Sequence, residues 1–108
     1  MNYKVDTIPP FDKELKFLAK KHSSLVKDYE LFLDLIEENP IKGDALGKDC
    51  YKIRLAITSK GKGKSGGARI IVCVKVIRKV VYLLSIYDKS EKENITDADL
   101  KELVKYIQ

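Results

Sequence analysis

Near the start of the chain, Tyr3, Val5 and Thr7 alternate with charged or polar neighbours, which predicts a short strand over residues 2–7 that Pro9 and Pro10 end. Phe11, Leu15, Leu18 and Ala19 then fall at i, i+4, i+7 and i+8, one apolar stripe on a helix of about three turns. His22-Ser23-Ser24 breaks the pattern. From Leu25 a second stripe runs through Tyr29, Phe32 and Ile36, with Lys27, Asp28, Asp34 and Glu37 on other faces, until Asn39-Pro40 stops it. Two amphipathic helices joined by so short a link predict an antiparallel hairpin whose shared stripe lies on a sheet.

Residues 41–50, with Gly43 and Gly47, read as a loop. Tyr51 to Ile57 then alternates cleanly. Tyr51, Ile53, Leu55 and Ile57 face the helices, and Lys52, Arg54 and Ala56 face away. Ala68 to Val76 and Val80 to Tyr87, rich in Val and Ile, predict two more strands joined by a tight turn at residues 77–79, so three consecutive strands make an antiparallel meander. Thr96-Asp97-Ala98-Asp99 has the form of a capping box, with Leu100, Leu103, Val104 and Ile107 as the stripe of a C-terminal helix. The expected fold is α+β in the order β-α-α-β-β-β-α, an antiparallel sheet covered on one face by the helical hairpin, in one domain over residues 1–108.

Composition adds a core of adequate size, from 44% hydrophobic residues, and little else until the charges are mapped. The net +5 conceals a segregation. Residues 52–79 hold nine cations (Lys52, Arg54, Lys60, Lys62, Lys64, Arg69, Lys75, Arg78, Lys79) and no acid, whereas both flanks are mildly acidic. Such a segment predicts a surface for a polyanion, with nucleic acid the commonest. The N-terminus does not read as a signal peptide, and the apolar runs are too short to span a membrane, so a cytoplasmic protein without a membrane partner is expected. Cys50 and Cys73 make no C-x-x-C pair and no zinc spacing with the single histidine, His22, and read as reduced, packed thiols.

Lys60-Gly61-Lys62-Gly63-Lys64-Ser65-Gly66 matches G-x-G-x-x-G and nearly matches a P-loop, and both readings fail. A P-loop needs glycine where Thr58 stands, and both motifs need a following helix to hold phosphate, whereas a strand follows. Two readings stay open: a mobile, solvated hairpin tip, and a flexible basic finger that contacts phosphates without reading bases. Lys52 with Arg54, and Arg69 with Lys75, each share a strand face, so the meander gathers four cations on one surface. Repulsion between them is explained if a polyanion binds there. Tyr82 reads as a core-edge residue, Tyr87 as a ring or phenol at a strand end beside Asp88 and Lys89, and His22 as exposed.

Together with this order of elements, the strings Tyr51-Lys52-Ile53-Arg54-Leu55, Gly66-Gly67-Ala68-Arg69-Ile70-Ile71 and Tyr82 to Glu91 resemble the RelE/ParE toxin superfamily over nearly the whole chain. The Lys/Gly segment and Tyr87-Asp88-Lys89-Ser90-Glu91 are closer to its HigB-like branch of ribosome-dependent endoribonucleases than to the gyrase-poisoning branch. The resemblance implies the toxin of a type II toxin–antitoxin pair, an mRNA interferase that cleaves translated mRNA by attack of a ribose 2′-hydroxyl on the adjacent phosphate. Its implied partners are the ribosome with its mRNA and a cognate antitoxin, for which an acidic binding segment would suit the basic face.

Carried over by position, Lys52 and Arg54 take the places of the basic pair on the first meander strand, Arg69 that of the arginine after the glycines, and Lys89 that of a basic residue after the last strand. Arg69 is the candidate for stabilising charge on the phosphate, Lys52 for general base, and Tyr87 or Lys89 for proton donor. Lys60, Lys62, Lys64, Lys75, Arg78 and Lys79 are the candidate RNA and ribosome contacts. Ile95 stands where some RelE-type members carry a catalytic tyrosine, which leaves that role to Tyr87 or to no tyrosine. One histidine excludes a two-histidine mechanism, and the acids lie outside the basic strands, so neither metal nor cofactor is expected. Two rivals stay open: a gyrase inhibitor on the same fold, and a non-catalytic RNA-binding module.

Overall fold

Pro9 and Pro10 do more than end a strand. They occupy the first positions of a helix, where the missing amides have no partner to lose. The computed structural model describes residues 2–40 and 43–107. Its elements are β1 (Lys4–Thr7), α1 (Pro9–Lys21), α2 (Leu25–Glu38), β2 (Asp44–Gly47), β3 (Cys50–Leu55), β4 (Ala68–Lys75), β5 (Val80–Asp88) and α3 (Asp97–Val104), with short 3-10 turns at Thr58–Lys60, Lys64–Gly66 and Lys105–Ile107. Phe11, Leu18, Leu25, Phe32 and Ile36 from the hairpin stripes are buried with Ile53, Ile70, Val72, Val81, Leu83 and Ile86 of the sheet. This is the single core expected from the two periodicities.

The strand order is β1-β5-β4-β3-β2. The β3-β4-β5 meander is antiparallel as expected, but the sheet is mixed, because β1 pairs parallel with β5 through Lys4↔Val80 to Thr7↔Leu83. The helical hairpin carries the chain across one sheet face after β1, and a crossover of that kind leaves a parallel pairing open. A second difference lies in the stretch expected to be a loop. Asp44–Gly47 is an edge strand paired with β3, and its two-residue turn holds Lys48 (φ 55) and Asp49 (φ 64) in the left-handed region. This hairpin lacks the Asn-Gly turn and the strong alternation that betray one in sequence. Residues 41 and 42 of that stretch lie outside the described residues.

A bulge in β5 sets which side chains share a face. Ile71 pairs with Ser85 but Val72 pairs with Leu83, so Leu84 has no partner and the alternation of β5 shifts by one. Tyr82, Ser85 and Tyr87 therefore lie on one face, with Lys52, Arg54, Arg69, Ile71, Cys73 and Lys75. Beyond the end of β1 the edge of β5 is covered by α1, where Glu14 accepts from Ser85 Oγ (2.9 Å) and the Ile86 amide (3.4 Å). Thr96 caps α3 by accepting from the Asp99 amide at 3.1 Å, the forward half of the expected capping box.

Candidate nucleic-acid interface

Register brings four of the expected site residues together. Arg54 pairs with Arg69 and Arg69 with Tyr87, a row across three strands, and Lys52 lies two residues from Arg54 on the same face. The row is not uniform. Arg54 is exposed, whereas Arg69 is 4% exposed and its guanidinium donates to the carbonyls of Lys64 (2.9 Å), Ala68 (3.1 Å) and Ser65 (3.3 Å), holding the turn before β4. Lys52 Nζ donates to Asn94 Oδ1 at 3.1 Å. Lys89, half-buried, ties the end of β5 to the glycine pair through its amide, which donates to Gly67 O at 3.1 Å.

Tyr87 is 6% exposed, Lys92 Nζ sits 5.0 Å from its ring centroid, and its hydroxyl is the one buried side-chain polar atom without a partner among the described residues. Burial raises the phenol above its ordinary pKa, and the charge of Arg69 opposes that only in part. A buried hydroxyl with no partner is costly, by about 1–3 kcal/mol, and points to a group that completes it. The same residue lines a groove of about 720 Å³ between α1, the end of β5 and α3, walled by Phe17, Ile95 and Leu103.

The remaining cations divide. Lys75, Arg78 and Lys79 stand at the other end of β4 and β5, about 20 Å along the strand from Arg69 at some 3.3 Å per residue. There Lys75 pairs with Asp49 (3.3 Å) and Lys79 lies over the Tyr3 ring (5.3 Å). Lys62 and Lys64 are exposed on the segment between β3 and β4. Lys60 of that segment points inward and forms an ion pair with Asp88 at 2.8 Å.

Two buried carboxylates anchor this segment to the helices, a feature the sequence reading missed. Asp28 accepts from the Thr58 amide (2.9 Å), Thr58 Oγ1 (2.6 Å) and Ser24 Oγ (2.8 Å), and Ser24 Oγ in turn accepts from the Ser59 amide (2.8 Å). Asp88, 2% exposed, accepts from Lys60 and from the Ser90 amide (2.9 Å) and hydroxyl (2.8 Å), and its other oxygen lies 3.1 Å from His22 Nε2. Burial alone would raise both carboxyls. The hydrogen bonds outweigh it and hold Asp28 below, and Asp88 well below, the usual carboxylate range.

His22, expected to be exposed, is thus part of a buried contact. The helix break that suggested exposure is the place where α1 ends against β5. Asp28, expected on a face away from the apolar stripe, stands three residues after Leu25 and four before Phe32 and so lies on it, the one signal the sequence carried. For Gly67 the need is steric: a β-carbon there would lie 2.1 Å from Leu55 O, so the close approach of the segment to β3 admits only glycine. Among the described residues no three His, Cys, Asp or Glu side chains come together as a metal site, and no helix is long and apolar enough to cross a membrane.

A helical hairpin on a mixed five-stranded sheet, with a cationic row and a partnerless phenol on the face opposite the hairpin, defines a small α+β protein with one positively charged sheet face. Residues 12–108 match the family model for the RelE toxin of RelE/RelB toxin–antitoxin systems, and the chain belongs to that family. It is similar to a mutant of the E. coli toxin RelE in the free state, at 25% identity over 100% of both chains, with a TM-score of 0.63. It also resembles RelE of the intact E. coli RelBE toxin–antitoxin complex (25% identity, 80% of this chain and 95% of that one, TM-score 0.60). A third similar structure is the archaeal RelE–RelB complex from Pyrococcus horikoshii (25% identity, 82% and 97%, TM-score 0.54). The protein is therefore a RelE-family toxin of a toxin–antitoxin system.

Proposed function

We propose that this toxin is a metal-independent endoribonuclease that cleaves mRNA presented by the ribosome, and that it belongs with the HigB-like members of its superfamily. The observation that carries the reading is the partnerless Tyr87 hydroxyl beside the Arg54–Arg69 row, a donor held in place with nothing yet to donate to. Attack of a ribose 2′-oxygen concentrates negative charge on the phosphate oxygens. Exposed Arg54 and neighbouring Lys52 supply cations where that charge grows. The scissile bond releases a 5′-oxygen that must take a proton, which Tyr87, at the end of the row, or Lys89, two residues further on, would give. Lys62 and Lys64, exposed beside the face, contact phosphates without reading bases, so codon choice falls to the ribosome.

Structures of similar toxins with RelB support a cognate antitoxin as a further partner, and a protein acting on translating ribosomes works in the cytoplasm. One observation favours a second reading. Arg69, the cation best placed by resemblance, is buried and committed to three carbonyls, as it would be in a face that binds RNA without cutting it.

Primer extension on a reporter mRNA in a purified translation system separates the two. New 5′ ends that need ribosomes, fall by about tenfold or more with Arg54→Ala and fall again with Tyr87→Phe are the expected result. Intact mRNA bound in a salt-sensitive way would leave only the binding module. Intact mRNA with loss of DNA supercoiling would move the protein to the gyrase-inhibiting branch.

A further inference from the structure

Cys50 and Cys73 lie directly opposite each other on β3 and β4, both essentially inaccessible. Neither belongs to the cationic row, and the proposed reaction uses neither. The Val74 amide donates to Asp49 O at 2.9 Å, one residue outside the pair on each strand. This makes Cys50 and Cys73 a non-hydrogen-bonded pair, the closer of the two antiparallel kinds, with Cα atoms about 4.5 Å apart. That spacing falls within the ~4.4–6.8 Å that a disulfide bridges without moving backbone.

The thiols also share an acceptor. Cys50 Sγ and Cys73 Sγ both donate to Lys48 O, at 3.4 and 3.7 Å, so both sulfurs are turned toward one point in the β2–β3 turn. That turn is held by two consecutive non-glycine residues with positive φ, Lys48 and Asp49, a conformation that costs each of them energy. We propose that Cys50 and Cys73 are an oxidisable dithiol, a modification site at which peroxide closes a disulfide between β3 and β4.

The two thiols are not equivalent. Contact with the Cys50 thiol lowers the pKa of Cys73, and the same contact, with burial, raises that of Cys50, which makes Cys73 the nucleophile and Cys50 the resolving thiol. The Cys73 thiolate attacks one peroxide oxygen, the O–O bond breaks, and a sulfenic acid and one water form. Cys50 sulfur then attacks the sulfenic sulfur, the S–O bond breaks, and a second water leaves. Two thiols lose two electrons and two protons, and one hydrogen peroxide becomes two waters.

Access follows from position. The turn that carries the shared carbonyl belongs to a four-residue strand at the sheet edge, the kind of element that opens locally without global unfolding. A small cleft lined by Lys48, Lys101, Val104 and Lys105 lies beside it.

The test uses the full chain, reduced and then freed of reductant, and exposed to hydrogen peroxide. The expected intact mass falls by about 2 Da as two thiol hydrogens are lost. A non-reducing digest joins the Cys50 and Cys73 peptides, dithiothreitol reverses the change, and the oxidised wild type unfolds at higher urea than the reduced form. Cys50→Ser leaves Cys73 to gain oxygen without the mass loss of a cross-link. Retention of both thiols, oxygen addition to the wild type without a cross-link, cross-links only between chains, or a lower urea midpoint after oxidation would each overturn the proposal. The wild-type mass and urea readings hold even if a cysteine variant fails to fold.

Discussion

Six of the nine cations of residues 52–79 form two groups that a charge count treats as one. Lys60 and Arg69 are turned into the protein, one onto Asp88 and the other onto three carbonyls. Arg54, Lys62, Lys64 and Arg78 are exposed and, among the described residues, make no side-chain hydrogen bond or ion pair. The first group folds the basic segment against the sheet, and the second faces solvent. The basic segment thus has a buried frame of the same charge as its surface, and the two are told apart only by where the carboxylates and carbonyls lie.

The largest effect expected from breaking this contrast comes at Asp88. Asp88→Ala leaves Lys60 buried without its partner and strips His22 and Ser90 of theirs, at a cost of about 3–5 kcal/mol in urea denaturation. The same carboxyl sets an acid limit. Its folded pKa lies below the unfolded value, so the stability it contributes is complete above about pH 4 and is lost as pH falls further, through the folded value. The wild type therefore loses stability steeply below about pH 4, and Asp88→Asn is destabilised at neutral pH but loses less on acidification.

Next in size is the two-arginine comparison. Arg69→Ala removes three charged hydrogen bonds from one side chain, whose contributions of about 1.5–3 kcal/mol are not additive, and a total loss of about 3 kcal/mol is expected with the 64–66 turn loosened in hydrogen exchange. Arg54→Ala, its cross-strand partner, should change stability by less than about 0.5 kcal/mol while carrying the larger share of the activity loss. Equal stability losses for the two would erase the distinction. Smallest in stability, and sharpest for function, are Lys62→Ala and Lys64→Ala. Each should leave the urea midpoint unchanged and lower the slope of log K against log salt for RNA by about 0.7–0.9.

Much of this fold is written in periodicity. Phe11, Leu18, Leu25, Phe32 and Ile36 announce their helices, and Ile53 and Arg54 announce the two faces of β3, because burial on one side imposes a rhythm on the chain. The edge strand Asp44–Gly47 has one half-buried apolar side chain, Leu46, and a turn without glycine at either central position, so no rhythm marks it. The parallel pairing of β1 depends on a crossover that residues 2–7 do not encode locally. At the site, residue types and strand faces were legible for Lys52, Arg54 and Arg69. The inward turn of Lys60, the carbonyl cage of Arg69 and the contact of His22 with Asp88 were not, since each depends on where long, rotatable side chains come to rest once the chain has folded.

The unpaired Leu84 gives one residue of β5 an influence out of proportion to its own contacts. Were Leu84 paired with Ile71 in regular register, Tyr87 and Asp88 would exchange faces. A β5 paired without that bulge would thus carry a carboxylate on the face of Arg54 and Arg69, answering the arginines from within. It would also turn the phenol to the hairpin face, so one unpaired residue decides whether this face stays cationic, while loss of Leu84 itself would leave Tyr87 opposite Arg69.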